Sequence, residues 1–284
     1  MLNDDAEVFA IANQKGGVGK TTTTINLAAS LAATNRKVLL IDLDAQGNAT
    51  MGSGVNKKDV PQSAYHVLLE SMAIADAMIE SEEAGYHVLA GNADLTAAEV
   101  GLITQEARET RLKEAIAPVL EHFDYILIDC PPALNILTLN ALVASDGVII
   151  PMQCEYYALE GLSALMETVE NIRSSLNPRL QIKGLLRTMF DPRNNLANEV
   201  SDQLISHFGE KVYRTIVPRN IRLAEAPSFG LPIIKYDKNS RGAVSYLALA
   251  GEILRRDAKA RSAAQAQKTS AAAQSMNSEE THGN

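Results

Sequence analysis

Tryptophan is absent from this 284-residue chain, cysteine occurs twice, and aromatic residues make up only 5%. Two cysteines argue against a disulfide framework and point to a reducing compartment. No apolar run is both long enough and free enough of charge to span a bilayer. The opening residues, Met1 to Glu7, are acidic and lack the basic and apolar regions of a signal peptide. A cytoplasmic location is therefore expected. Positive charge is the scarcer sign: 26 Lys and Arg against 34 Asp and Glu leave a net charge of −8. The protein is not coated in basic surface, so any nucleic-acid contact must come from a local patch on a repulsive background.

What is present is an alternation of strand-like and helix-like segments. Val8 to Ala12, Val38 to Ile41, Tyr86 to Leu89, Tyr125 to Ile128, Val148 to Ile150 and Ile182 to Leu186 read as strands. Continuous apolar runs such as Val38-Leu39-Leu40-Ile41 are the pattern of strands covered on both faces. Helical periodicity lies between them, over 21–33, 104–121, 135–144, 156–175, 195–208 and 240–256. The alternation predicts an α/β fold: a mostly parallel, doubly wound sheet with helices on both faces. Residues 1–257 are expected to form one domain. The Ala/Gln/Ser-rich stretch 258–284 lacks large aliphatics and is expected to be a disordered tail.

The first strand runs into Asn13-Gln14-Lys15-Gly16-Gly17-Val18-Gly19-Lys20-Thr21-Thr22, a glycine-rich turn opening a helix. Glycines let backbone N–H groups curl around an anion, and the helix N-terminus adds positive partial charge. Lys20 can reach β- and γ-phosphates, and the Thr21 hydroxyl can ligate Mg²⁺. The usual phosphate-loop pattern would place glycine at Gln14, and a second lysine, Lys15, sits inside the loop. Two acidic sites follow apolar runs. Asp129 ends the strand Tyr125 to Ile128 and can hold Mg²⁺ directly or through water. Asp42 and Asp44 share a face if their strand continues. One can then support the metal shell while the other orients an attacking water.

These motifs, with Asp129-Cys130-Pro131-Pro132 and the segment Val217 to Ser228, resemble the ParA/Soj family of partitioning ATPases over about residues 8–257. The lysine-bearing loop, the deviant Walker A type of P-loop, is shared with a wider group that includes MinD and nitrogenase iron protein. The resemblance implies ATP and Mg²⁺ as cofactors, with hydrolysis that is slow unless stimulated. It implies that Gly16, Gly17, Val18 and Gly19 cradle the nucleotide, Lys20 binds phosphate, and Thr22 contacts the α-phosphate. Thr21, Asp44 and Asp129 would serve the metal, with Asp44 polarising water. Lys15 would cross an ATP-sandwich homodimer to the twin's nucleotide, and Pro218 and Asn220 would edge the adenine.

The resemblance further implies ATP-dependent, non-specific binding of double-stranded DNA, release triggered by a ParB-like partner, and association with the nucleoid. Candidate DNA contacts are Arg193, Arg219, Arg222, Lys235 and Arg241, with Arg193 and Arg222 preferred; phosphate contacts need cations but no base-reading geometry. The first strand starts with no room for an N-terminal helix-turn-helix, as in the short chromosomal type. A MinD-like membrane ATPase is the alternative, but 262–284 lacks the apolar face of an amphipathic anchor, so no membrane partner is expected. A small-molecule kinase or ligase on the same loop would need a second constellation of acceptors. Cys130 and Cys154 read as buried packing residues, and Met72 and Met78 as core filler in a helical stretch. The five histidines lack metal-ligand spacing.

Overall fold

The computed structural model describes residues 6–280. Eight strands form one sheet: β1 (Glu7–Ile11), β2 (Val38–Asp42), β3 (Met78–Ser81), β4 (Tyr86–Leu89), β5 (Tyr125–Asp129), β6 (Gly147–Met152), β7 (Gln181–Phe190) and β8 (Val212–Pro218). Their spatial order is β3-β4-β2-β5-β1-β6-β7-β8. Only β3 runs antiparallel, to β4, so the expected mostly parallel sheet is observed. The helices are α1 (Lys20–Ala32), α2 (Asn48–Gly52), α3 (Ala64–Leu69), α4 (Ile74–Ala77), α5 (Leu95–Ile103), α6 (Arg111–Ile116), α7 (Ile136–Ala144), α8 (Ala158–Ser175), α9 (Asn195–Phe208), α10 (Ile221–Glu225), α11 (Ile233–Tyr236) and α12 (Arg241–Glu280).

Alternation along the central strands divides the core in two. Phe9 and Ile11 of β1 join Ile25, Leu27 and Leu31 of α1 and Tyr246 and Ile253 of α12 on one face. Val8 and Ala10 join Leu102, Leu142, Leu165 and Leu204 on the other. Burial on both faces is why β2 and β5 are apolar at every position until each ends in aspartate. Among the described residues no helix is long and apolar enough to cross a membrane.

Several expectations need correction. The helix expected over 104–121 is two pieces: α6 starts only at Arg111, and Pro118 turns 117–122 into a 3₁₀ segment. Met78 begins the edge strand β3 rather than sitting in a helix, because α4 is only four residues long. β8 went unread. α12 runs from Arg241 to Glu280, through the Ala/Gln-rich stretch. Alanine, glutamine and lysine are strong helix formers, and a helix satisfies its own backbone without a core. The expected tail's last four residues, 281–284, lie outside the described residues.

Candidate functional site

The site lies at the carboxyl ends of β1, β2, β5 and β6, where open α/β sheets bind ligands. β1 ends at Ile11, and the loop after it delivers α1 beginning at Lys20. Gly17 and Gly19 adopt φ of 73° and 90°, a backbone that side chains resist, and a Cβ on Gly16 or Gly17 would meet nothing within 4 Å. The loop therefore leaves an open backbone cradle at a helix N-terminus. Thr188 of β7 braces it from behind by donating to the Val18 carbonyl at 2.7 Å.

Lys20 is buried, and its ammonium donates to the Lys15 carbonyl at 3.3 Å. Burial pulls its pKa below the ordinary lysine value, partly offset by the nearby Asp129 and Asp44 carboxylates. Asp129 is fully buried and accepts hydroxyls from α1 on both oxygens: Thr21 at 2.8 Å and Thr24 at 2.9 Å. Burial, then repulsion from Asp42, pushes its carboxyl above the ordinary carboxylate range. Asp42 lies directly opposite on β2 and is likewise pushed up, again first by burial. A hydroxyl and a carboxylate at one point are hard oxygen donors of the kind Mg²⁺ takes.

Asp42 and Asp44 do not share a strand face. β2 stops at Asp42, which accepts from Thr50 and from the Asp44 N–H, while Asp44 sits half-buried in the following turn. The side chain of Asp42 is committed to holding that turn. Asp44 accepts the Gln46 N–H at 3.0 Å on one oxygen, and its other oxygen has no protein hydrogen bond among the described residues.

The end of β6 and the segment after it cross the loop, a contact that sequence reasoning missed. Asn13 donates to the Pro151 carbonyl at 2.8 Å, Gln153 donates to the Gly17 carbonyl at 3.3 Å, and Lys15 donates to Glu155 at 2.5 Å. Thr24 was missed as well, though its spacing of three from Thr21 places both on one helix face. Cys130 and Cys154 are buried, and burial raises both thiols, Cys154 to about 11. Neither is a poised nucleophile.

At the far end of the sheet, Asn220 caps α10 by accepting the Leu223 N–H at 3.2 Å, and Pro218 closes β8 opposite Phe190. Asn26 of α1 accepts the Ile233 N–H at 2.7 Å, tying the chain before α11 to the helix that opens the cradle. The five candidate DNA cations are all exposed and fall into two groups. Arg193 grips Asp191 with two donors at 2.9 and 2.8 Å, and the charge of Arg219 acts on the same carboxylate. Hydrogen bonds from Arg193 hold that carboxyl down at about 2. Arg222 pairs with Glu225 at 2.9 Å and reaches Asp237 at 3.7 Å, beside Lys235 on α11. Arg241 opens α12.

A family model described as an AAA domain matches residues 6–182. Over 250 residues the chain is 51% identical to the chromosome partitioning protein ParA of Myxococcus xanthus, covering 88% of each. It is also 51% identical over 247 residues to the sporulation initiation inhibitor protein Soj of Bacillus subtilis, covering 87% of this chain and 98% of that one. Cobyrinic acid a,c-diamide synthase of Mycobacterium smegmatis, crystallised with ADP and magnesium, superposes with a TM-score of 0.77 at 35% identity, covering 88% and 94%. Matched by that family model over more than half of its length and by relatives at 51% identity along most of it, the chain belongs to the ParA/Soj family of chromosome-partitioning ATPases.

Proposed function

We propose that this protein is an ATP-dependent dimeric switch. Two copies close over a pair of ATP molecules, and the closed dimer binds double-stranded DNA without sequence preference. Hydrolysis stimulated by a ParB-like partner then releases it, moving a chromosome or plasmid. The observation that carries this reading is the side chain of Lys15. Lys20 is buried in the loop and would serve the phosphates of its own subunit, while Lys15 leaves the loop on its exposed side with about half of its side chain open to solvent. A cation on a surface that a twin can approach can steady charge on the twin's phosphates, as an arginine finger does.

Family membership and the magnesium and ADP of the Mycobacterium smegmatis structure support ATP and Mg²⁺ as the cofactors. The open cradle and the hard oxygen donors fit them. The backbone of residues 16–19 and Lys20 would bind the β- and γ-phosphates, Thr22 the α-phosphate, and Pro218 and Asn220 would edge the base. Thr21 and Asp129 would hold the metal with Asp44 nearby; once bound, the ion neutralises charge on the phosphate oxygens. Asp44, with one carboxylate oxygen pinned by its own turn, has the other available to orient water. Nucleoid association follows from DNA binding by the two cation groups.

The test is DNA retention measured with ATP, ADP and no nucleotide, for wild type, Lys15→Gln and Asp44→Ala. Lys15→Gln is expected to lose ATP-dependent dimers. Asp44→Ala is expected to accumulate dimers on DNA while hydrolysis falls by about 10²–10⁴. Normal hydrolysis in both variants would overturn the reading.

A further inference from the structure

The loop residues at 13, 15 and 17 are held by Pro151 in β6 and by Glu155 and Gln153 in the strap that follows it. In two of these contacts a side-chain amide, of Asn13 or of Gln153, donates to a main-chain carbonyl of the opposite segment, which ties the two segments together. The third is the Lys15–Glu155 ion pair, the only one of the three that joins opposite charges. The Asn13 side chain also accepts the Lys15 N–H at 3.0 Å, and the Glu155 N–H donates to the Gln153 carbonyl at 3.0 Å. Both backbones are therefore positioned before the side chains meet. Directly beyond Glu155, Tyr156 and Tyr157 are 74% and 70% exposed, which places the pair at an open face rather than inside the cradle.

We infer that Glu155 is a positioning residue for Lys15, an in-cis latch that must open before the lysine can serve a twin. The inference rests on the reading of Lys15 given above. Its logic is competition for one ammonium. A Lys15 bound to a twin's phosphates cannot also sit 2.5 Å from Glu155, and a carboxylate left beside triphosphate oxygens is repelled by them. Closing a two-fold dimer opens two latches. An exposed pair is worth about 1.4- to 5-fold, so two of them oppose closure by about 2- to 30-fold.

Two measurements on full-length protein test this. In the nucleotide-free protein, acylation of individual lysines by an N-hydroxysuccinimide ester is followed by peptide mass spectrometry. Glu155→Gln should raise the rate at Lys15 by about 1.4- to 5-fold and leave other lysines unchanged. Sedimentation with a non-hydrolysable ATP analogue and Mg²⁺ should then show Glu155→Gln dimerising about 2- to 30-fold more tightly than wild type, with unaltered ADP affinity. The gain should shrink as salt is added. Unchanged labelling of Lys15, or faster labelling with equal or weaker dimerisation, overturns the latch. Lys15→Gln run alongside separates the two ideas: if it dimerises like wild type, the trans role of Lys15 fails, whatever Glu155 does.

Discussion

One oxygen of Asp42 accepts both the backbone N–H and the hydroxyl of Thr50, at 2.8 and 2.7 Å, so this one residue pair closes the turn that carries Asp44. The other oxygen takes the Asp44 N–H at 3.1 Å, and the Thr50 hydroxyl also accepts the Gly91 N–H at 2.9 Å. Thr50→Val keeps the side chain's shape but leaves the buried Gly91 donor unpaired. It should cost about 1–3 kcal/mol in urea unfolding. Because Asp44 then leaves from a looser turn, ATP turnover should fall about 10- to 100-fold. ADP affinity should hold, since the cradle of α1 is untouched.

Glu252 of α12 fastens the sheet edge by accepting the backbone N–H groups of Arg214 and Thr215, each at 3.0 Å, and the Thr215 hydroxyl at 2.9 Å. Burial alone would raise its pKa; those hydrogen bonds and the Arg256 charge outweigh burial and hold it below the ordinary glutamate value. A depressed carboxyl contributes stability above its unfolded pKa and loses it as pH falls through the folded one. Glu252→Gln should therefore be less stable by about 1–3 kcal/mol at pH 7. Chemical unfolding at a series of pH values should show the gap to wild type closing below about pH 4.

The centre of the sheet was legible because parallel strands covered on both faces have nowhere to place a polar side chain, as β2 and β5 show. At the edges that logic fails. In β8 the exposed Arg214 breaks the run, and in β3 Glu80 points outward, so neither strand announced itself. The phosphate loop was legible because its chemistry is local, written in consecutive residues. Gln153, Glu155 and Asn26 were not, since each acts on a partner at least 136 residues away. The shared face of Asp42 and Asp44 fails for a local reason. It requires the strand to continue, whereas β2 ends at Asp42, whose carboxylate accepts from Thr50 eight positions on.

Gly184 lies against the ring of Tyr213, and a Cβ there would come within 2.3 Å of a ring carbon. The ring cannot retreat: Tyr213 is fully buried and the Arg256 guanidinium lies 4.4 Å from its centroid. Gly184→Ala should destabilise by about 1–3 kcal/mol through overpacking between β7 and β8. Thermal unfolding of the double variant Gly184→Ala/Tyr213→Leu should recover part of that loss. No recovery would mean that the glycine is needed for its backbone and not for the space it leaves.

The five candidate DNA cations are not equivalent once their partners are known. Arg193 and Arg222 are each engaged by carboxylates, so a phosphate must displace Asp191 or Glu225 before it gains either guanidinium. Arg219, Lys235 and Arg241 have no ion-pair partner among the described residues and lose nothing comparable on binding. Arg219→Ala and Arg241→Ala should each weaken ATP-dependent DNA binding and lower the salt slope by about 0.9 for every phosphate that is no longer neutralised. Arg193→Ala should cost less than either. Asp191→Asn supplies the decisive arm, because it frees Arg193 and removes a negative charge that Arg219 also faces. Filter binding or anisotropy over a salt series should show Asp191→Asn binding DNA more tightly than wild type. Equal or weaker binding would place the DNA surface away from the β7–β8 edge, and the Arg222, Lys235 and Arg241 group would then have to carry it alone.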